Sequence, residues 1–492
     1  MERYFPTFMP MWRRARRALP RFLRIGVWPF RQLGRGILRG WPWLAGILVV
    51  LLLAHTIFNI VATRELGREL ARLKANGCRL TLPELAPPPV PNEENAALIY
   101  ERAFELLPSD DVDSAFWRAV AFAFPTRYGG TEHPATHSQA ATFIRQHQRV
   151  LDLLRKGAAM PKARYQVNWE APPFEIMLPH AAQIRDSVRL LGVDAVLKSR
   201  RGDAAGALAD IGVMLKTGDT VSPEPALVSQ LGRVACYSIA SETLNTVMNN
   251  SAPSAEDCRS LHLLLSHIDL MRPFTHALKG DRVWGLWAFH EVRRSPAALL
   301  ATAQDEAEST AKWPFWTAPL RLLWAPWLKK DELFYLRYME RVIALSRKPY
   351  RENAYATLHQ QWERAPRYAL VTRILVPVTG KVTWRRDEGI ARIGLAQWAL
   401  ALRVYQERMG HYPHALSDVC AVVDWSLPDD PLSGQPFVYR REGDGYILYS
   451  FGFNRHDDGG KKERRKFRPY GPALTEAEYL RVPDDIVWRM TR

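Results

Sequence analysis

Between Trp41 and Ala62 the chain reads WPWLAGILVVLLLAHTIFNIVA, without one Asp, Glu, Lys or Arg. At roughly 1.5 Å per helical residue this run covers a hydrocarbon layer about 30 Å thick, and it predicts a transmembrane helix. Trp41 and Trp43 stand where an interfacial aromatic belt forms. His55 and Asn59 lie four residues apart inside the run, on one helical face. Polar groups there mark either a helix–helix contact or contact with headgroups. Downstream, RELGRELARLKANG alternates charge at helical spacing and predicts a helix leaving the membrane. PELAPPPVPNEEN then predicts a stiff proline spacer, with Asn92 capping the next unit.

From residue 93 to 385 apolar positions recur every three or four residues: Ala97, Tyr100, Ala103, Phe104, Leu107; Val188, Leu191, Ala195; Leu227, Leu231, Val234. This spacing predicts a helical domain. LGVDAVLKSRRGDAAGALADIGVMLKTG reads as helix, turn at Gly202-Asp203, helix, the unit of tetratricopeptide-like arrays. No clean repeat of roughly 34 residues recurs, so an array and an irregular bundle both stay open. WPFWTAPLRLLWAPWL, residues 313–328, holds four tryptophans among prolines and is followed by Lys329-Lys330. With Trp284 and Trp287 it forms either a second membrane contact or a buried aromatic cluster, and its prolines argue against a spanning helix. From 390, IARIGLAQWALALRVYQERMG is one striped helix ending at Gly410. Phe437–Tyr439 and Tyr446–Tyr449, joined through Gly443-Asp444-Gly445, predict a β-hairpin. The fold class is therefore mainly α, α+β overall. The expected units are a leader (1–40), a span (41–62), a helix with spacer (63–92), a helical domain (93–385) and a C-terminal module (390–492).

Charge changes the picture in one respect. The 492 residues carry a formal net charge of +16, but residues 1–40 supply ten arginines against Glu2. Basic charge concentrated beside an apolar run is what anionic lipid and the positive-inside rule select, whereas a nucleic-acid binder spreads it over a folded face. The expectation is a single-pass protein of the bacterial inner membrane with its N-terminus in the cytoplasm, its bulk outside it, and no nucleic-acid partner. A cleaved signal peptide fits less well, because the lead and the apolar run are too long. Cys78, Cys236, Cys258 and Cys420 are too scattered for a disulfide framework or zinc site; Cys236 and Cys258 either pair across neighbouring helices or are buried thiols.

No motif of a zinc peptidase, serine hydrolase or phosphate loop is present, and His290-Glu291 lacks a second histidine. His133 and His137 have metal-compatible spacing, but Pro134 between them argues for loop histidines. His262 and His267 read as structural.

The C-terminal stretch resembles the globular domain of type II secretion pseudopilins through ALRVYQERMGHYPHAL, DDPLSGQPFVY, GYILYSFGFNRHDDGG and DDIVW, in that order. In that family the last two pieces form a calcium-binding loop. The resemblance implies calcium held by Asn454, Asp457, Asp458 and Asp485, hard oxygen donors suited to that ion. The sequence departs at Arg455, where the family usually has glycine, and in KKERRKFR, whose six cations oppose calcium. The family's processing site, a glycine directly before a phenylalanine-led apolar segment with a glutamate, does not head the apolar run. The whole arrangement is also similar to a group of large membrane-anchored bacterial proteins, which supports the architecture and implies no activity. Two functional expectations follow: a binding or structural component of the cell envelope, linked to secretion or envelope assembly through a protein partner, or an extracytoplasmic hydrolase with its site in the helical domain.

Overall fold

The computed structural model describes residues 9–107, 114–125, 134–294, 318–349, 351, 358, 362, 364–376, 379–452, 454, 456–461 and 484–491, with the backbone alone over 9–40, 114, 134–135, 318–321 and 379–382. The first helix, α1, runs from Met9 to Ala75, and from Trp41 it is long and apolar enough to cross a membrane, with its apolar window unburied by the protein. It stops at Gly77, whose φ of 71° lets Gly77 N donate to Lys74 O and Cys78 N to Leu73 O. These bonds satisfy carbonyls that a helix end otherwise leaves open. The proline segment does not stand clear as a spacer. Its short helix α2 (Leu82–Leu85) buries Leu82 and Leu85 against Trp169, Ile176, Ala226 and Val283. Entry to α3 (Ala97–Phe104) falls to Asn95 rather than Asn92: Asn95 Oδ1 accepts from Ala97 N at 3.2 Å and Arg164 N at 2.8 Å.

The body continues as α4 (Ser114–Ala123), α5 (Pro134–Gln146), α6 (Gln148–Ala158), α7 (His180–Arg200), α8 (Ala204–Asp219), α9 (Leu227–Asn250) and α10 (Ala255–Ser266). The expected hairpin between α7 and α8 turns at Gly202 (φ 84°), and Asp203 Oδ1 accepts from Gly206 N at 2.9 Å to cap α8. Charges tie these helices together. Arg155 of α6 donates to Asp194 of α7 at 2.6 Å and to Asp210 of α8 at 3.0 Å, and Lys198 reaches Asp210 at 2.5 Å. Cys236 and Cys258 are buried free thiols, each pushed up to about 12 by burial.

A second core lies between α11 (Met271–Arg294) and α12 (Ala318–Leu345), built on Phe274, Phe289, Tyr335, Met339 and Val342. The fully buried Asp331 of α12 accepts from Val371 N (2.8 Å) and Thr372 Oγ1 (2.5 Å), fixing the first turn of α13 (Leu370–Leu375). Carboxylates at a helix start meet both open N–H groups and the positive end of the dipole.

Helix α14 spans Thr379–Met409 and runs unbroken through residues 385–390; α15 is Leu416–Val422. Three strands follow, β1 (Val438–Glu442), β2 (Gly445–Ser450) and β3 (Ile486–Met490), antiparallel in the order β1-β2-β3. The hairpin turns on Gly443-Asp444, with Gly443 at φ 60°. One core extends from Ala96 through α7 and α9 to Trp398, Tyr446, Trp488 and Met490. Asn249 of α9 also clasps β3, its Nδ2 donating to Arg489 O at 3.1 Å and its Oδ1 accepting from Thr491 N at 3.0 Å. Helical body and sheet thus share an interior.

Candidate functional site

The four residues singled out near the C-terminus are brought together at the open end of β2 and β3. The chain leaves β2 through Gly452, where a Cβ would lie 1.8 Å from Asp484 Oδ1, so only glycine admits the carboxylate. Gly459 and Gly460, at φ 69° and 75°, then fold the loop back. Asp457 Oδ1 accepts from Tyr449 Oη and Gly459 N, both at 2.8 Å. Asp458 Oδ2 accepts from Asn454 Nδ2 (2.8 Å) and Asp484 N (3.1 Å). Asp485 is fully buried; its Oδ2 accepts from Gly460 N at 2.9 Å, while its buried Oδ1 has no hydrogen-bond partner. Burial, with added repulsion from Asp458 and Asp457, pushes the Asp485 carboxyl up to about 6.

A buried carboxylate oxygen without a donor calls for a proton or a cation. The donor set, carboxylate and amide oxygens only, suits a hard ion such as calcium. The arrangement is not closed around one: among the described residues no group of three His, Cys, Asp or Glu is placed to hold a metal. Asn454 turns its amide nitrogen to Asp458, and Asp457 is committed to Tyr449. Asp430, buried beneath the loop, is also occupied, accepting from Ser450 Oγ at 2.7 Å and Leu432 N at 3.0 Å. Arg455 and all of KKERRKFR beyond Lys461 lie outside the described residues.

A second assembly, only half visible from sequence, joins α12 to α1, the candidate membrane-spanning helix, in parallel. His55 Nε2 meets Leu323 O at 3.3 Å, and Phe58 sets its ring edge-on to Trp327 at 4.8 Å. Lys329 Nζ donates to Asn59 Oδ1 and Thr63 Oγ1, both at 2.8 Å, and Lys330 pairs with Glu65 at 2.6 Å. Higher up, Arg337 faces Glu69 at 3.8 Å and Arg72 pairs with Glu340. His55 and Asn59 therefore serve a helix–helix contact. The tryptophans do not form one cluster: Trp284 and Trp287 pack on Phe174, while Trp327 packs on Phe58 and Tyr368. Trp313 and Trp316 lie outside the described residues. Leu322, Leu323, Trp327, Leu370 and Ile374 are left exposed on α12 and α13. Lys329-Lys330, directly after an apolar Trp-Pro segment, was the sequence signal for this pairing, because it repeats the step from Ala62 to Arg64 in α1.

Of the remaining histidine candidates, His262 and His137 pack on aromatic rings. His262 stacks on Trp425 at 4.3 Å and burial lowers its basicity. His137 meets Phe122 edge-on at 5.6 Å, and His133 lies outside the described residues. The arrangement most like a hydrolase triad is His180, Glu224 and Ser229. There the glutamate stands in the middle, accepting from Ser229 Oγ at 2.5 Å and bonded to His180 Nε2 at 2.8 Å. The imidazole does not touch the hydroxyl, so it has no path to activate it.

Fold and sites together define a mainly helical protein with one candidate membrane-spanning helix among the described residues, a small antiparallel sheet and a carboxylate-lined loop. Compared with known proteins, the chain matches no family model, no curated protein and no solved structure.

Proposed function

We propose that this protein is a single-pass, membrane-anchored binding component of the cell envelope, whose body lies outside the cytoplasm, seated on the bilayer, and engages a protein partner there. The observation that carries this reading is the series of contacts between α1 and α12, from His55 to Arg72. A flexibly tethered enzyme needs no such series; a component that must present its surface at a fixed height and orientation does. The arginine-rich leader supports an N-terminus in the cytoplasm. The pseudopilin-like C-terminal pieces support a role in secretion or surface assembly. The arrangement of His180, Glu224 and Ser229 gives the hydrolase reading no support.

Photo-crosslinking of the full chain in intact membranes tests this. A discrete protein adduct is expected, and its yield should fall several-fold in Lys329→Ala/Lys330→Ala, which loosens the seat but leaves the buried core alone. A folded chain that yields no discrete adduct, or an adduct indifferent to the seat, contradicts the proposal.

In the same reading the C-terminal loop takes calcium, with Asp485 supplying the orphaned oxygen and Asn454, Asp457 and Asp458 turning from their present partners to the ion. Rotation of the Asn454 amide would exchange its nitrogen for an oxygen beside Asp458.

A further inference from the structure

At the end of α1 farthest from the membrane span, a cavity of about 530 Å³ opens between the α1 cap, α2, α11 and α12. Its polar lining is cationic: Arg79, Lys279, Arg282 and Arg347, with His276 beside them. Among the described residues the one carboxylate in the wall, Glu340, is committed to Arg72. Arg282 is only 2% exposed; it donates through Nη2 to Arg79 O at 3.1 Å, and its buried Nε has no partner. None of the four cations forms an ion pair with a described residue. Burial and the facing Arg347, Arg282 and Arg79 depress Lys279 below the ordinary lysine range, and His276 is lowered too, chiefly by burial.

Like charges gathered around a space without counter-charge destabilise a fold unless an anion completes them. Guanidinium groups supply paired donors matched to phosphate and carboxylate oxygens, and an ammonium adds a point charge. We propose that this cavity is a binding site for a small water-soluble multivalent oxyanion of the phosphate-ester or pyrophosphate class.

Its height favours a soluble ligand over a lipid headgroup. From Ala62 to Ala75 a helix rises about 20 Å, whereas the headgroup layer extends only about 6 Å beyond the hydrocarbon. This height rests on the membrane placement of α1, but the chemistry of the cavity does not.

Cys78 lines the cavity and is half-buried, whereas Cys420 is exposed far from it, so the chain carries its own probe and control. The experiment is alkylation of the full chain in neutral detergent with and without inorganic pyrophosphate, read by mass spectrometry at both thiols. Saturable protection of Cys78 of at least about fivefold is expected, with Cys420 unchanged. Lys279→Gln/Arg347→Gln, chosen because both side chains reach solvent and Arg282 does not, should abolish protection while leaving the melting temperature near that of the parent. Unprotected Cys78 at millimolar pyrophosphate in folded protein overturns the proposal, as does protection retained by the double variant. Protection by vesicles containing phosphatidylglycerol but not by pyrophosphate overturns the assignment to a soluble anion.

Discussion

Asp485 shows how little of a residue's role is carried by its identity. Its carboxyl sits at about 6, above the 3.8 of an ordinary aspartate, so the native state holds the proton more tightly than the unfolded chain. Its charge therefore lowers stability as pH rises from about 4 to about 6, by on the order of 3 kcal/mol. Without divalent cations, the melting temperature of the full chain should fall across that window more steeply than that of Asp485→Asn. Calcium at pH 7 should raise the parent's melting temperature and leave the variant's unchanged. An equal pH slope in both proteins would contradict the burial argument, and a calcium shift retained in Asp485→Asn would remove Asp485 from the site. Burial raises the Asp210 carboxyl as well, but there two cations answer the charge. It faces Arg155 and Lys198, and Asp210→Ala leaves these two half-buried cations to share Asp194, with the exposed Asp152 beside Arg155. Denaturant unfolding should show a loss of about 2 kcal/mol. The sequence points to Asp485 only through a resemblance, because IVWRM is too short for the alternation of the strand that follows it to stand out. Asp194 and Asp210 look like any solvated helix charges until their helices are packed.

At the scale of elements, the long apolar run and the helical spacing made α1, the α7–α8 hairpin, the helix ending at Gly410 and the β1–β2 hairpin legible. Periodicity and turn glycines are local signals. What pairs with what is not local, and the sequence carries no such signal for it. PELAPPPVPNEEN reads as a stiff proline spacer, yet Leu85 within it and Leu82 just before it are buried. The prolines around Trp324 argue against a spanning helix and leave a shorter one open, and α12 carries Pro326 within it. A proline removes one N–H, a cost that a neighbouring helix can offset. His55 lies about 10 Å below Ala62 along α1, and α12 begins beside it. With α1 spanning the bilayer as proposed, the exposed Leu322, Leu323 and Trp327 would lie at the depth of acyl chains, where their apolar surface costs nothing.

At the scale of the molecule, the boundary expected near residues 385–390 falls within α14, and the sheet shares its core with α7 and α9. Calcium binding and stability are therefore properties to be measured on the full chain, since a 390–492 fragment would expose the face of α14 that packs on α9 and α10. The same continuity passes any constraint on α12 through the body: a ladder of contacts fixes α12 to α1, and α11 and α13 are packed on α12. The central claim is that this ladder seats the body on the bilayer. The most direct test places a photo-activatable residue at Leu323 and, as control, at Lys216 on the exposed side of α8, in full chain reconstituted into lipid vesicles. Lipid adducts at position 323 and none at 216 are expected. Equal, water-quenched reaction at both positions would contradict the account.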